Sequence, residues 1–95
     1  MRLAITPRAR QALAELQEHI SRDSPRAAET VADRILQTAD LLTQFPRMGR
    51  VGALPDTYEF VVPNVSYRLI YRLDGDLLRL LDVVHTRRQW PPEGA

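Results

Sequence analysis

Arginine is the residue type through which this chain could do chemistry. All 13 Lys/Arg positions are arginine, set against 12 acidic residues. Planar guanidinium forks grip phosphate and carboxylate oxygens two at a time. The plainer source of the skew is codon usage in a GC-rich genome. A net charge of +1 excludes a strongly basic nucleic-acid-binding domain. Three further side chains could move protons or hold a partner. His85 could serve as acid or base, the role an imidazole suits near neutral pH; the plainer reading is a strand-end histidine held by hydrogen bonds. Glu59 could act as a base, and its plainer reading is an exposed strand carboxylate. Trp90 either caps the core or binds a partner. Cysteine is absent, so neither a disulfide framework nor a thiolate metal site is expected. His19 and His85 lie far apart in sequence, and neither a metal nor a cofactor is expected.

These side chains must be positioned by a small fold. A length of 95 residues favours one domain over 1–95, with a C-terminal tail from about 86 to 95. The expected stability of such a domain is about 5–10 kcal/mol. Charge interrupts Met1-Arg2-Leu3-Ala4-Ile5-Thr6-Pro7-Arg8 too early for a signal peptide. No apolar run approaches the ~20 residues of a membrane span. The cytoplasm is the expected location, with no membrane partner.

Leu3 and Ile5 alternate with Arg2 and Ala4, which predicts a short first strand. Thr6-Pro7 and Ser24-Pro25 repeat one helix-start device: a hydroxyl for the free amides, then a proline with no amide to satisfy. The first helix is predicted from Pro7 to about Ser21, with Ala9, Leu13, Leu16 and Ile20 on one face. The second runs from Pro25 to about Gln44, with Ala28, Val31, Ala32, Ile35, Ala39 and Leu42 as its stripe. Pro46 disfavours helical geometry at Phe45 and ends it. The short Arg22-Asp23-Ser24 link implies an antiparallel hairpin. Arg47 to Asp56 reads as a loop. Strands follow over Tyr58–Val62, Val65–Leu73 and Leu77–Val84, with turns at Pro63-Asn64 and Asp74-Gly75-Asp76. A three-residue loop would set Leu73 opposite Leu77, Leu69 opposite Leu81 and Arg68 opposite Asp82. The expected fold is α+β: an N-terminal strand, a two-helix hairpin, and a three-stranded antiparallel meander with the helices on one face.

In this order and spacing the motifs resemble the ParE/RelE family of bacterial toxins over roughly Arg2 to Pro91. Thr6-Pro7-Arg8-Ala9 is similar to the family's first helix start. Phe45-Pro46-Arg47-Met48-Gly49-Arg50 resembles its proline-glycine-arginine loop. Tyr67-Arg68-Leu69-Ile70-Tyr71-Arg72 with Asp74-Gly75-Asp76 resembles its central hairpin, and Val83 to Pro91 its C-terminal signature. The resemblance implies the toxin of a type II toxin–antitoxin system, neutralised by a cognate protein antitoxin. It divides into two activities: ParE-type toxins poison DNA gyrase without being enzymes, whereas RelE-type toxins cut messenger RNA on the ribosome.

RNA cleavage needs a deprotonated 2′-hydroxyl, a stabilised phosphorane and a protonated leaving oxygen. On the nuclease alternative Arg68 and Arg87 would flank the phosphate and His85 would exchange the proton. The plainer partner for Arg68 is Asp82, and the plainer reading of Arg87 and Arg88 is a solvated tail. The chain departs from the nuclease branch in having no lysine, and in carrying Trp90-Pro91 where a functional tyrosine is common. The reading preferred from sequence is therefore gyrase inhibition with no catalytic residue, and with Arg87, Arg88 and Trp90 meeting the target. The alternatives are ribosome-dependent mRNA cleavage and an interaction module that has lost toxicity. Leu78, Leu80 and Val84 should share one face of the last strand, and Leu77, Leu81 and Val83 the other. Leu78, Leu80 and Val84, with Arg68 and Arg72, are the expected antitoxin contacts.

Overall fold

The computed structural model describes residues 1–93; positions 94 and 95 of the expected tail lie outside the described residues. Both helices start where the sequence places them. Thr6 Oγ1 accepts from the Ala9 amide at 3.2 Å, and α1 covers Pro7–Ser21. Ser24 Oγ accepts from the Ala27 amide at 3.1 Å, and α2 covers Pro25–Gln44. The Thr6 hydroxyl also donates to the Leu80 carbonyl at 2.8 Å, which ties the helix start to the sheet. Phe45 leaves helical geometry at φ −129° ahead of Pro46, as the proline requires.

Strands β1 (Arg2–Ile5), β2 (Arg50–Val51), β3 (Thr57–Val61), β4 (Tyr67–Asp74) and β5 (Leu77–His85) form one sheet in the order β1-β5-β4-β3-β2. The α+β class holds, but the sheet is larger than the three-stranded meander expected. β1 adds to it parallel to β5, with Leu3 beside Leu78 and Ile5 beside Leu80. β2 lies inside the expected loop and pairs with β3 through only two residues, too few to alternate visibly in sequence. Among the described residues no helix is long and apolar enough to cross a membrane.

The β4–β5 register corrects the expected one. Asp74 faces Leu77 across a two-residue turn, with Gly75 at φ 58°, a backbone conformation glycine adopts freely. The shorter turn displaces the pairing by one residue. A β-bulge then leaves Leu81 between the pairs Tyr71/Leu80 and Ile70/Asp82 and displaces it by one more. Arg68 therefore faces Val84, and Leu69 faces Val83. The bulge also changes which side chains share a face. Leu78, Leu80 and Val83 all join the core under the helices, with Ile35, Leu42, Leu69 and Tyr71. Leu78 and Leu80 are completely buried. The face expected to hold Leu78, Leu80 and Val84 together does not exist, and the two leucines offer no surface to an antitoxin.

Tyr71 joins this core to the β2 edge. Its hydroxyl donates to the Pro46 carbonyl at 2.6 Å and accepts from the Gly49 amide at 3.1 Å. Its ring stacks on Tyr58 at 5.5 Å. A side chain at Gly49 would collide with the Tyr71 hydroxyl, which is why glycine stands there. Burial raises the Tyr71 pKa above 10.0, more than the Gly49 amide lowers it. The folded chain thus keeps a proton that the unfolded chain releases, so stability falls as pH rises past about 10. Tyr71→Phe should cost about 1 kcal/mol at neutral pH by stripping two part-buried groups of their partner. It should also flatten the alkaline decline. Urea denaturation from pH 7 to 11 measures both; an unchanged alkaline slope would remove Tyr71 as its source.

Candidate functional site

The sheet brings the candidate residues together at its far end, where β5 runs into the tail. Arg68 lies on the face away from the helices. Its diagonal neighbour across β3 is Glu59, since Val61 faces Arg68 and Glu59 faces Ile70. The Arg68 Nε lies 3.0 Å from Glu59 Oε1, and the two side chains are 11% and 8% exposed. The Nε–H is not aligned on the carboxylate, so this contact is an ion pair rather than a formed hydrogen bond. The two Nη groups point the other way: Nη1 donates to the Thr86 carbonyl at 3.1 Å and Nη2 to the Arg88 carbonyl at 2.9 Å. Arg68 thus clamps the start of the tail to the middle of the sheet.

Asp82 makes a second clamp. It lies where β1 has already turned into α1 and β5 has lost that neighbour. Its Oδ1 accepts from the Val83 amide at 2.8 Å, and its Oδ2 accepts from Trp90 Nε1 at 3.1 Å. Arg8 Nε, from the first turn of α1, lies 3.6 Å from the same Oδ2. A buried carboxylate without such donors would be costly. Between α1 and the tail these contacts leave an open cleft of about 390 Å³, bordered by Arg8, His19, His85, Arg88 and Trp90.

His85 is held as its strand-end reading supposes. Its Nδ1 accepts from the Arg87 amide at 3.2 Å, and its ring meets Tyr67 edge-on at 5.4 Å. The Arg87 and Arg88 side chains are exposed. Of the nuclease trio, Arg68 is held within the fold, its two Nη groups on tail carbonyls and its Nε beside Glu59 without a formed hydrogen bond, and Arg87 faces solvent. Arg72 lies at the opposite end of β4, 3.3 Å from Asp74. Two pairings differ from those expected. Asp82 belongs to Trp90 and Arg8, not to Arg68, because the bulge moves it. Glu59 is buried, not exposed, because Arg68 covers it. Sequence reading named Glu59 and Asp82 but with other roles or partners, and it missed the part of Arg8; the partners come from other strands or from a helix, and no local pattern marks them. Among the described residues no group of three His, Asp or Glu side chains comes together as a metal site.

Comparison with known proteins places this architecture. A family profile described as "ParE toxin of type II toxin-antitoxin system, parDE" matches residues 3–90. The chain belongs to the ParE toxin family. "Putative toxin Y4kP" of Sinorhizobium fredii (strain NBRC 101917 / NGR234) is 37% identical to this toxin over 90 residues, covering 95% of this chain and 93% of that protein. Among solved structures, the chromosomal ParDE toxin–antitoxin system from P. aeruginosa superimposes with a TM-score of 0.83 at 19% identity, over 92% of this chain and 97% of that one. The intact E. coli RelBE toxin–antitoxin complex gives 0.67 at 20% identity, over 92% and 98%. The isolated E. coli RelE toxin gives 0.66 at 19% identity, over 94% and 87%. At these identities the structures establish a shared fold. The family match makes the protein a type II toxin–antitoxin toxin of the ParE family.

Proposed function

We propose that this toxin arrests bacterial growth by inhibiting DNA gyrase in the cytoplasm, and that a cognate antitoxin protein neutralises it. The observation that carries the choice of target is the state of Arg68. Cleavage of RNA needs a cation free to meet the phosphorane as charge develops. Here that arginine is buried beside Glu59 and tied to two tail carbonyls. Inhibition by contact asks less of the chain: a rigid surface suffices. The two clamps hold Arg87, Arg88 and Trp90 at one corner, and the side chains of Arg87 and Arg88 point outward.

Induction of the toxin alone in a bacterial host should stop growth. Plasmid supercoiling should fall or gyrase-linked breaks appear, while primer extension finds intact messenger RNA. Codon-position cuts during induction, abolished by Arg68→Ala or Arg87→Ala, would instead favour the ribosome-dependent nuclease. Normal growth with soluble toxin would point to an interaction module. Arg87→Ala with Arg88→Ala should relieve much of the arrest while shifting stability by less than about 0.5 kcal/mol, as exposed positions usually do.

A further inference from the structure

Strand β5 carries an unpaired length of edge beside the tail. β1 pairs with it only from Leu77 to Leu80, and the Thr6 amide, on the Leu80 carbonyl at 3.1 Å, ends that ladder. Beyond this point the chain has turned into α1, so Asp82 to His85 have a strand neighbour on the β4 side alone. The Thr86 amide donates to the Ser66 carbonyl at 2.9 Å, which fixes the alternation in this part of the ladder. Val84 therefore exchanges hydrogen bonds with Arg68, while the backbone groups of Val83 and His85 point away from β4. Two of those outward groups are satisfied from within the chain. The Val83 amide donates to Asp82 Oδ1 at 2.8 Å, and the His85 carbonyl accepts from the Arg88 amide at 2.9 Å. The Val83 carbonyl and the His85 amide are left without a partner among the described residues. Both residues line the cleft between α1 and the tail.

An unpaired strand edge is a template for a further strand, and these two groups specify which kind. An antiparallel strand takes both the amide and the carbonyl of one residue. Neither Val83 nor His85 has both free. A parallel strand takes the carbonyl of one residue and the amide of the residue two further on. The Val83 carbonyl and the His85 amide are such a pair, centred on Val84. An incoming strand about 4.8 Å away would run in the direction of β1 and continue its pairing. Asp82 to His85 offer about 10 Å of edge, at about 3.3 Å per residue, which holds three or four extended residues. The residue beside Val84 would point its side chain toward the tail, where the exposed Arg88 borders the cleft. Asp82 on that side is already answered by Trp90 and Arg8. The residues before and after it would point to the helix side, onto Ala12 and Leu16. We infer that the free edge of β5 binds an extended segment of the target protein as a parallel strand, with a carboxylate opposite Arg88 between two apolar side chains; this rests on the gyrase reading above. The corner formed by Arg87, Arg88 and Trp90 adjoins this edge, so one partner meets both.

The test measures amide hydrogen exchange in the full-length toxin, alone and bound to purified DNA gyrase holoenzyme. The His85 amide should exchange freely in the toxin alone and at least about tenfold more slowly in the complex. Substitution reads the same group independently. His85→Pro removes the N–H without breaking a bond to β4, because that N–H points away from it. His85→Ala loses the imidazole but keeps the N–H. The proline variant should bind gyrase at least about tenfold more weakly than the alanine variant, the effect of one hydrogen bond left unmade. Melting curves establish that both fold; if the proline variant does not, the exchange measurement decides. Binding of gyrase with no slowing at His85, or equal binding by the two folded variants, would overturn the inference and leave the gyrase reading standing. Failure of the unaltered toxin to bind gyrase would overturn both. Slowing of the His85 amide by the antitoxin and not by gyrase, or in the toxin alone as its concentration rises, would assign the edge to the antitoxin or to a second copy and overturn the inference as well.

Discussion

Arg68→Ala is expected to lower the melting temperature by on the order of 20 °C, whatever it does to toxicity. The substitution leaves Glu59, 8% exposed, without the guanidinium 3.0 Å away. Breaking a buried ion pair on one side costs about 3–5 kcal/mol. A domain of this size shifts by roughly 4–8 °C for each kcal/mol. The remaining partners, Arg50 at 3.8 Å on an exposed side chain and the Ala53 amide at 3.3 Å from Oε2, compensate little. The Thr86 and Arg88 carbonyls lose their donor as well, so the tail should loosen with the fold. Replacing both partners, as Arg68→Leu with Glu59→Leu, should recover most of the stability, because no charge remains to be buried. The double variant would still lack the tail clamp. Calorimetry on the two variants separates the contributions. A single variant that melts within a few degrees of the unaltered protein would show that the pair is solvated. The consequence for function is direct: loss of toxicity in Arg68→Ala is not by itself evidence of catalysis, and the double variant is the control that decides it.

The second large effect belongs to the last strand. Leu80→Asp should prevent folding, and Leu81→Asp, one residue along, should be tolerated. Leu80 is completely buried and packs in the helix-side core. An unpaired carboxylate there adds desolvation to the loss of a large apolar side chain. The sum exceeds about 5 kcal/mol, which is comparable to the whole stability of a domain this size. Leu81 is the bulge residue, only partly buried and outside the core cluster. Circular dichroism and soluble yield distinguish the two. If both variants fold, or both fail, the bulge does not divide the strand as described. Leu78→Asp, at an equally buried position, should behave as Leu80→Asp does.

What the sequence determined by itself is what short-range chemistry governs. Thr6-Pro7 and Ser24-Pro25 mark both helix starts because a hydroxyl three residues from an amide caps it wherever the rest of the chain goes. Pro46 ends α2 for an equally local reason. The apolar stripes of the helices and the alternation of the later strands identify the class, and the ordered motifs identify the family. The pairing of those strands is another matter. One residue fewer in the turn at Gly75 and one residue more at Leu81 each move the register, and each move carries side chains to new partners or to the other face. Neither change alters composition or periodicity enough to be seen beforehand. Arg68 therefore finds Glu59 and the tail carbonyls, and Asp82 finds Trp90 and Arg8. Leu78 and Leu80 turn inward, and Arg72 meets Arg79 across Asp74. These contacts join residues up to 74 positions apart. Their energies depend on burial and on the closeness of charges, quantities that exist only once the sheet has formed.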